Sequence, residues 1–145
     1  MLLLSKDLFK RQVLSLSTGS AVAIAEKPII DPNNLKITGW WCKAHNGRDL
    51  KILLTEDVRE ILPSGLAIND ETELSDPGEL IRHQSIIELD FKLMTKQVKT
   101  KRHRLGKVSD YSFNEGYFIQ KLYVEQSLVR AIGSDTLMID RSQII

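Results

Sequence analysis

The chemistry open to this chain of 145 residues begins with charge. The segment Lys96–Lys107 holds Lys96, Lys99, Lys101, Arg102, Arg104 and Lys107, with no acid among its twelve residues. Cations on a hairpin can face a phosphate backbone or an acidic protein surface. Alternate strand residues point the same way, so Lys99, Lys101 and His103 are expected on one face. Every phosphate neutralised there would release counterions and make binding salt-dependent. A solvated loop whose cations protect a strand edge explains the same residues. His103 is the one ring in the segment, which argues against base stacking. Trp40 and Trp41 are the second candidate. As neighbours on a strand, one indole points into the core and the other outward, where it could anchor a partner.

The other reactive residue types do not assemble into a site. His45, His83 and His103 lie far apart, with no Cys or His at ligand spacing, whereas zinc needs three or four such groups. Cys42 falls at a strand end without a basic neighbour and reads as a buried thiol. There is no G-x-S-x-G elbow and no glycine motif for phosphate or dinucleotide. The expectation is no catalytic, metal-binding or cofactor-binding residue, and no enzymatic activity. A single cysteine allows no internal disulfide, so a reducing, cytoplasmic setting is expected. Met1-Leu2-Leu3-Leu4 is cut off by Lys6 and Asp7, short of the ~7–15 residues of a signal core. No run approaches the ~20 apolar residues of a membrane span. Net charge is +1. Residues 1–75 hold 9 basic and 10 acidic side chains and residues 76–145 hold 11 and 9, so neither half as a whole attracts nucleic acid or membrane.

Short β-rich runs must position these residues. Leu93–Val98, Leu105–Tyr111, Tyr117–Val124 and Asp135–Ile145 are rich in Val, Ile, Leu, Tyr and Phe, with Asn114-Glu115-Gly116 and Gly133-Ser134 between them. They read as consecutive antiparallel strands. The first half repeats the series. Leu8–Ser15 matches Leu93–Thr100, Ser20–Glu26 matches Arg104–Asp110, Leu35–Cys42 matches Tyr117–Val124, and Leu53–Ile61 matches Leu137–Ile145. Four matches in one order, 82 to 85 residues apart, indicate a duplication. The fold class predicted is mainly β: two tandem small antiparallel β-barrels with short helical turns and a short linker helix. The first barrel takes residues 1–72, the linker 73–85, and the second barrel 86–145. Thr55 and Asp140 are each expected to cap a single helical turn. Residues 69–79 hold five acids, a proline and a glycine, as a linker would; Glu79–Leu89 reads as a helix. The first copy continues through Pro63-Ser64-Gly65 into a strand at Leu66-Ala67-Ile68. The second stops at Ile145, the equivalent point, so its closing strand is missing. An open edge near Ile145 is expected to pair with another strand, in a homodimer or a partner.

Arg104-Leu105-Gly106-Lys107-Val108-Ser109-Asp110, Ile119-Gln120-Lys121-Leu122-Tyr123-Val124 and Ile139-Asp140-Arg141-Ser142-Gln143-Ile144 resemble the PRC-barrel domain. Asp31-Pro32, Leu35-Lys36-Ile37-Thr38-Gly39 and Glu56-Asp57-Val58-Arg59-Glu60-Ile61 carry the resemblance in the first copy. The family includes the cytoplasmic domain of the photosynthetic reaction-centre H subunit and the C-terminal domain of the ribosome maturation factor RimM. The resemblance implies a small antiparallel barrel that contacts other proteins without catalysis. Val22 stands where the motif has Gly and Glu26 where it has Asp, so the first copy should pack differently at that strand. Lys101-Arg102-His103 lacks the usual Gly, which predicts a wider hairpin loop. The function expected is a protein-interaction, adaptor or assembly module. The alternative is an RNA-binding or ribosome-maturation factor that uses Lys96–Lys107.

Overall fold

The computed structural model describes residues 2–45, 47, 49–126 and 136–144. The protein is mainly β, with 52% strand against 19% helical turn, and its sheets are curled. Two compact units form: Asp7–Phe91, and Met1–Lys6 together with Lys92–Ile145. The expected division put residues 1–72 and 86–145 into separate barrels. In the structure the first residues of the chain join the second unit instead, and the segment expected as a linker packs onto the first.

The unit Asp7–Phe91 is one six-stranded sheet. Its strands are β2 (Arg11–Ser15), β3 (Ser20–Asp31), β4 (Lys36–Ala44), β5 (Leu50–Leu54), β6 (Val58–Leu62) and β7 (Gly65–Ile68). They lie in the order β5-β4-β3-β2-β7-β6. The two edge strands, β5 and β6, are joined by only the 3-10 turn Thr55–Asp57, so the sheet must curl to bring its edges to one corner. Val13, Ile37, Ile52, Leu53, Leu66 and Ile68 are at most 1% exposed and belong to the core of this unit. Burying side chains of this size contributes roughly 1.5–3 kcal/mol each. Thr55 does not cap its turn: its hydroxyl donates to the Thr38 carbonyl (3.2 Å), and Leu54 holds the cap position.

Residues 71–89 form three 3-10 turns and the helix α1 (Gln84–Leu89). They are anchored. Ser75 and Ile52 exchange backbone hydrogen bonds of 2.9 and 2.8 Å. Leu80, Ile86 and Ile87 pack, as Trp41 does, on Ile29, Ile52 and Leu54. The acids that suggested a linker sit in the turns, where Asp76 closes a capping box with Glu79 and pairs with Lys51. The apolar residues are what hold the segment down.

The second unit contains β8 (Gln97–Lys99), β9 (Arg104–Phe113), β10 (Ile119–Glu125) and β11 (Thr136–Asp140), in an antiparallel meander. Leu3 and Leu4, which the sequence offered only as an apolar run, form β1 beside Phe113 and Ser112 of β9. The expected strand Leu93–Val98 is shorter. Thr95 has φ +67°, and Lys96 N–H donates to Leu93 O (3.0 Å), so a tight turn occupies its first half. Asp140 caps the 3-10 turn Arg141–Gln143 in a reciprocal box with Gln143. The expected turn at Gly133-Ser134 lies outside the described residues.

The meander β8-β9-β10-β11 repeats β2-β3-β4-β5 strand for strand. The unusual backbone positions repeat as well. Lys10 and Thr95 both have positive φ, 85 residues apart, and so do Leu35 and Tyr117, 82 apart. Non-glycine residues rarely adopt this conformation. Four residues separate Ser15 from Ser20, and three separate their matched counterparts Thr100 and Arg104. The second loop is therefore not wider. In place of a glycine, the Thr100 hydroxyl accepts from Arg102 N–H (3.3 Å) and His103 N–H (3.1 Å).

Candidate functional site

The hairpin β8–β9 presents the basic residues. Thr100 N–H donates to His103 O (2.8 Å) and closes the turn; its hydroxyl holds the loop from the other side. A Ser or Thr hydroxyl bonding the backbone two or three residues ahead is a recognised turn former. Lys96, Lys99, Lys101, Arg102, Arg104 and Lys107 are all exposed.

Strand register decides which cations share a face. Lys99 stands directly opposite Arg104, and Gln97 opposite Lys107. Gln97 and Lys99 alternate with half-buried Val98, so Lys99, Arg104 and Lys107 share the outward face. Lys101 and His103 lie in the loop, where strand alternation does not extend. The face predicted as Lys99–Lys101–His103 is thus replaced by Lys99, Arg104 and Lys107, with Lys101 and Arg102 at the tip. Leu105 lets Arg104 and Lys107 share a face: it is bulged out of register between Gly106 and Arg104. A bulge of this kind re-aims side chains and is invisible in a simple alternating count.

Across β9, Lys107 faces Glu125 of β10, so its charge is partly balanced. The Lys99–Arg104 pair faces like charge instead. Directly opposed like charges destabilise a sheet, and the hairpin holds them at its exposed end.

Gly106 builds the hairpin's base. Its φ is +142°, and a Cβ there would fall 2.1 Å from the Glu125 backbone oxygen. Val22, matched to it in the sequence, has no positive φ. It is bulged out between Ala21 and Ala23 and buried. By register this bulge is equivalent to the one at Leu105, and Ala23, opposite Val13, stands where Gly106 stands opposite Val98.

The two indoles are accounted for within the fold. Trp40 is 3% exposed and belongs to the core. Trp41 points the other way, as expected of its neighbour, and is half-buried, packed like Leu80, Ile86 and Ile87 against Ile29, Ile52 and Leu54. Cys42 is fully buried, and burial pushes its thiol up to about 12, with Glu26 adding to the effect. His45, His83 and His103 fall after β4, in a 3-10 turn and in the hairpin loop. Among the described residues, no three His, Cys, Asp or Glu side chains gather as a metal site would require. No helix among them is long and apolar enough to cross a membrane. The edge expected near Ile145 lies outside the described residues.

No protein-family model matches the chain, and no curated protein matches it significantly.

Proposed function

We propose that the chain is a non-catalytic interaction module of the PRC-barrel type, an adaptor or assembly factor built from two tandem barrels, which binds an acidic partner protein through the β8–β9 hairpin. The observation that carries this reading is the direct opposition of Lys99 and Arg104 beneath a Thr100-closed tip bearing Lys101 and Arg102. Like charges held together on an ordered, exposed scaffold are compensated when an anionic surface covers them. The matching meanders and shared positive-φ positions support the tandem reading.

The test is affinity capture with the full chain as bait, beside a Lys99→Glu/Lys101→Glu/Arg102→Glu variant of equal thermal stability. A partner retained by the native chain, lost from the variant and released by salt supports the proposal. Equal capture by both removes the hairpin from the interface.

RNA is the second reading, and the same cations favour it. If Lys99, Lys101, Arg102 and Arg104 each met a phosphate, log K would fall against log salt with a slope of about −3 to −4. A flat salt series with structured RNA rejects it.

A further inference from the structure

The duplication places equivalent hairpins in unequal surroundings. β2 is covered on both edges, by antiparallel β3 and by parallel β7, with Gln12 opposite Gly65, Val13 opposite Leu66, Leu14 opposite Ala67 and Ser15 opposite Ile68. β8 is the counterpart of β2. It pairs with β9, and among the described residues no strand pairs with its other edge. Burial shows the difference. Val13 is 0% exposed and Ser15 1%, whereas their counterparts Val98 and Thr100 are half-buried and exposed.

We propose that β8 receives an extended acidic segment of another protein, added in parallel as β7 is added to β2. This deepens the interaction reading above and rests on it.

The chain's own pairing specifies the occupant. Gly65 has φ +155°, and a Cβ there would fall 2.2 Å from the Gln12 backbone oxygen, so only glycine fits. Gln97 stands where Gln12 stands, which calls for glycine at the first position of the occupant. The next three positions face Val98, Lys99 and Thr100. They take residues like Leu66, Ala67 and Ile68, all of which are buried in the first unit. Pairing then continues past the strand: Leu16 N–H donates to Ile68 O (2.9 Å) and Ser17 N–H to Asn69 O (3.0 Å). The counterparts of Leu16 and Ser17 are Lys101 and Arg102. Residues following the apolar tetrad therefore lie beside two cations, and acids are the side chains that complement them. Main-chain pairing supplies affinity in strand addition, while flanking charge supplies selectivity.

The probe is a labelled nine-residue peptide copying Gly65–Glu73, Gly-Leu-Ala-Ile-Asn-Asp-Glu-Thr-Glu, titrated with the full chain. Saturable binding is expected, with hydrogen-exchange protection gained over Gln97–Arg102. A paramagnetic label at the peptide's C-terminus should broaden Lys101–His103, as parallel addition requires. About tenfold weaker binding is expected for a Lys101→Glu/Arg102→Glu chain, for a Gly65→Ala peptide, and for a peptide with its acids replaced by amides. Any of three results overturns the proposal: no binding, protection elsewhere than β8, or undiminished affinity of the amide peptide. A dimer by light scattering whose β8 is already protected assigns the edge to a second copy and also overturns it. If the peptide fails while protein capture still depends on the hairpin cations, strand addition is wrong and the interaction reading stands. If capture is also independent of them, both fall.

Discussion

Gly106→Ala tests whether the hairpin's base is built as described. The added methyl group would lie 2.1 Å from the Glu125 backbone oxygen and 3.1 Å from Cγ1 of Val124, itself fully buried. Ordinary contact of carbon with oxygen needs about 3.2 Å, so backbone must move by about 1 Å. Moving β10 disturbs the pairing of Val124 with Val108; rotating φ away from +142° disturbs that of Gly106 with Val98. Strain in a region that side chains rarely adopt costs about 1–3 kcal/mol, and overpacking costs a similar amount. The expected loss is about 2–4 kcal/mol. A unit of ~60 residues has roughly 3–9 kcal/mol to lose, and 1 kcal/mol moves its midpoint by about 4–8 °C. The assay can be local. Tyr111, Tyr117 and Tyr123 are the chain's three tyrosines, and all lie in the second unit; both tryptophans lie in the first. Near-UV signals from tyrosine should report a midpoint lowered by about 10–30 °C. A Gly106→Ala chain within about 0.5 kcal/mol of the native one would refute the reasoning, because a real 2.1 Å contact with backbone cannot be that cheap.

Three further outcomes are expected. Lys99→Glu turns the repulsion facing Arg104 into attraction and should stabilise the second unit by about 0.5–1 kcal/mol at low salt, a gain that disappears near 1 M salt; urea titrations at both salt levels check it. Burial, Glu73 and Glu56 hold the Asp57 carboxyl above its ordinary 3.8. The folded chain thus binds that proton more tightly than the unfolded chain, and stability falls as pH rises through the window above 3.8. Asp57→Asn should therefore melt slightly higher than the native chain at pH 7, with the gap closing as the pH falls toward 3.8. The Cys42 thiol, buried and pushed up to about 12, should react with iodoacetamide at pH 8 at least about 10³-fold more slowly in the native chain than in urea; equal rates would show that the first sheet opens readily.

Turn chemistry was legible because it is local. Asn114 beside Gly116 marks a turn in any context, and its side chain does accept from Gly116 and Phe118 N–H (3.0 Å each). Asp140 and Gln143 sit at the spacing of a capping box and form one. The Lys96–Lys107 charge run was equally plain. Its geometry was not, because the bulge at Leu105 changes which cations share a face without leaving a mark in composition. Trp41 shows the same limit: its outward direction follows from strand alternation, but the cluster of Ile29, Ile52 and Leu54 on which it packs also takes Leu80, Ile86 and Ile87, some forty residues along the chain.

By itself, the order of residues determined the β-rich runs, the turns between them and the basic segment, since each depends on neighbours within a few positions. Tertiary structure alone decided that Leu3–Leu4 joins the second sheet, that the acidic segment packs down, and that β2 is covered by β7 while β8 is left with one strand neighbour among the described residues. Such choices depend on which distant surface buries the most apolar area and completes the most backbone hydrogen bonds, and no local pattern carries that sum.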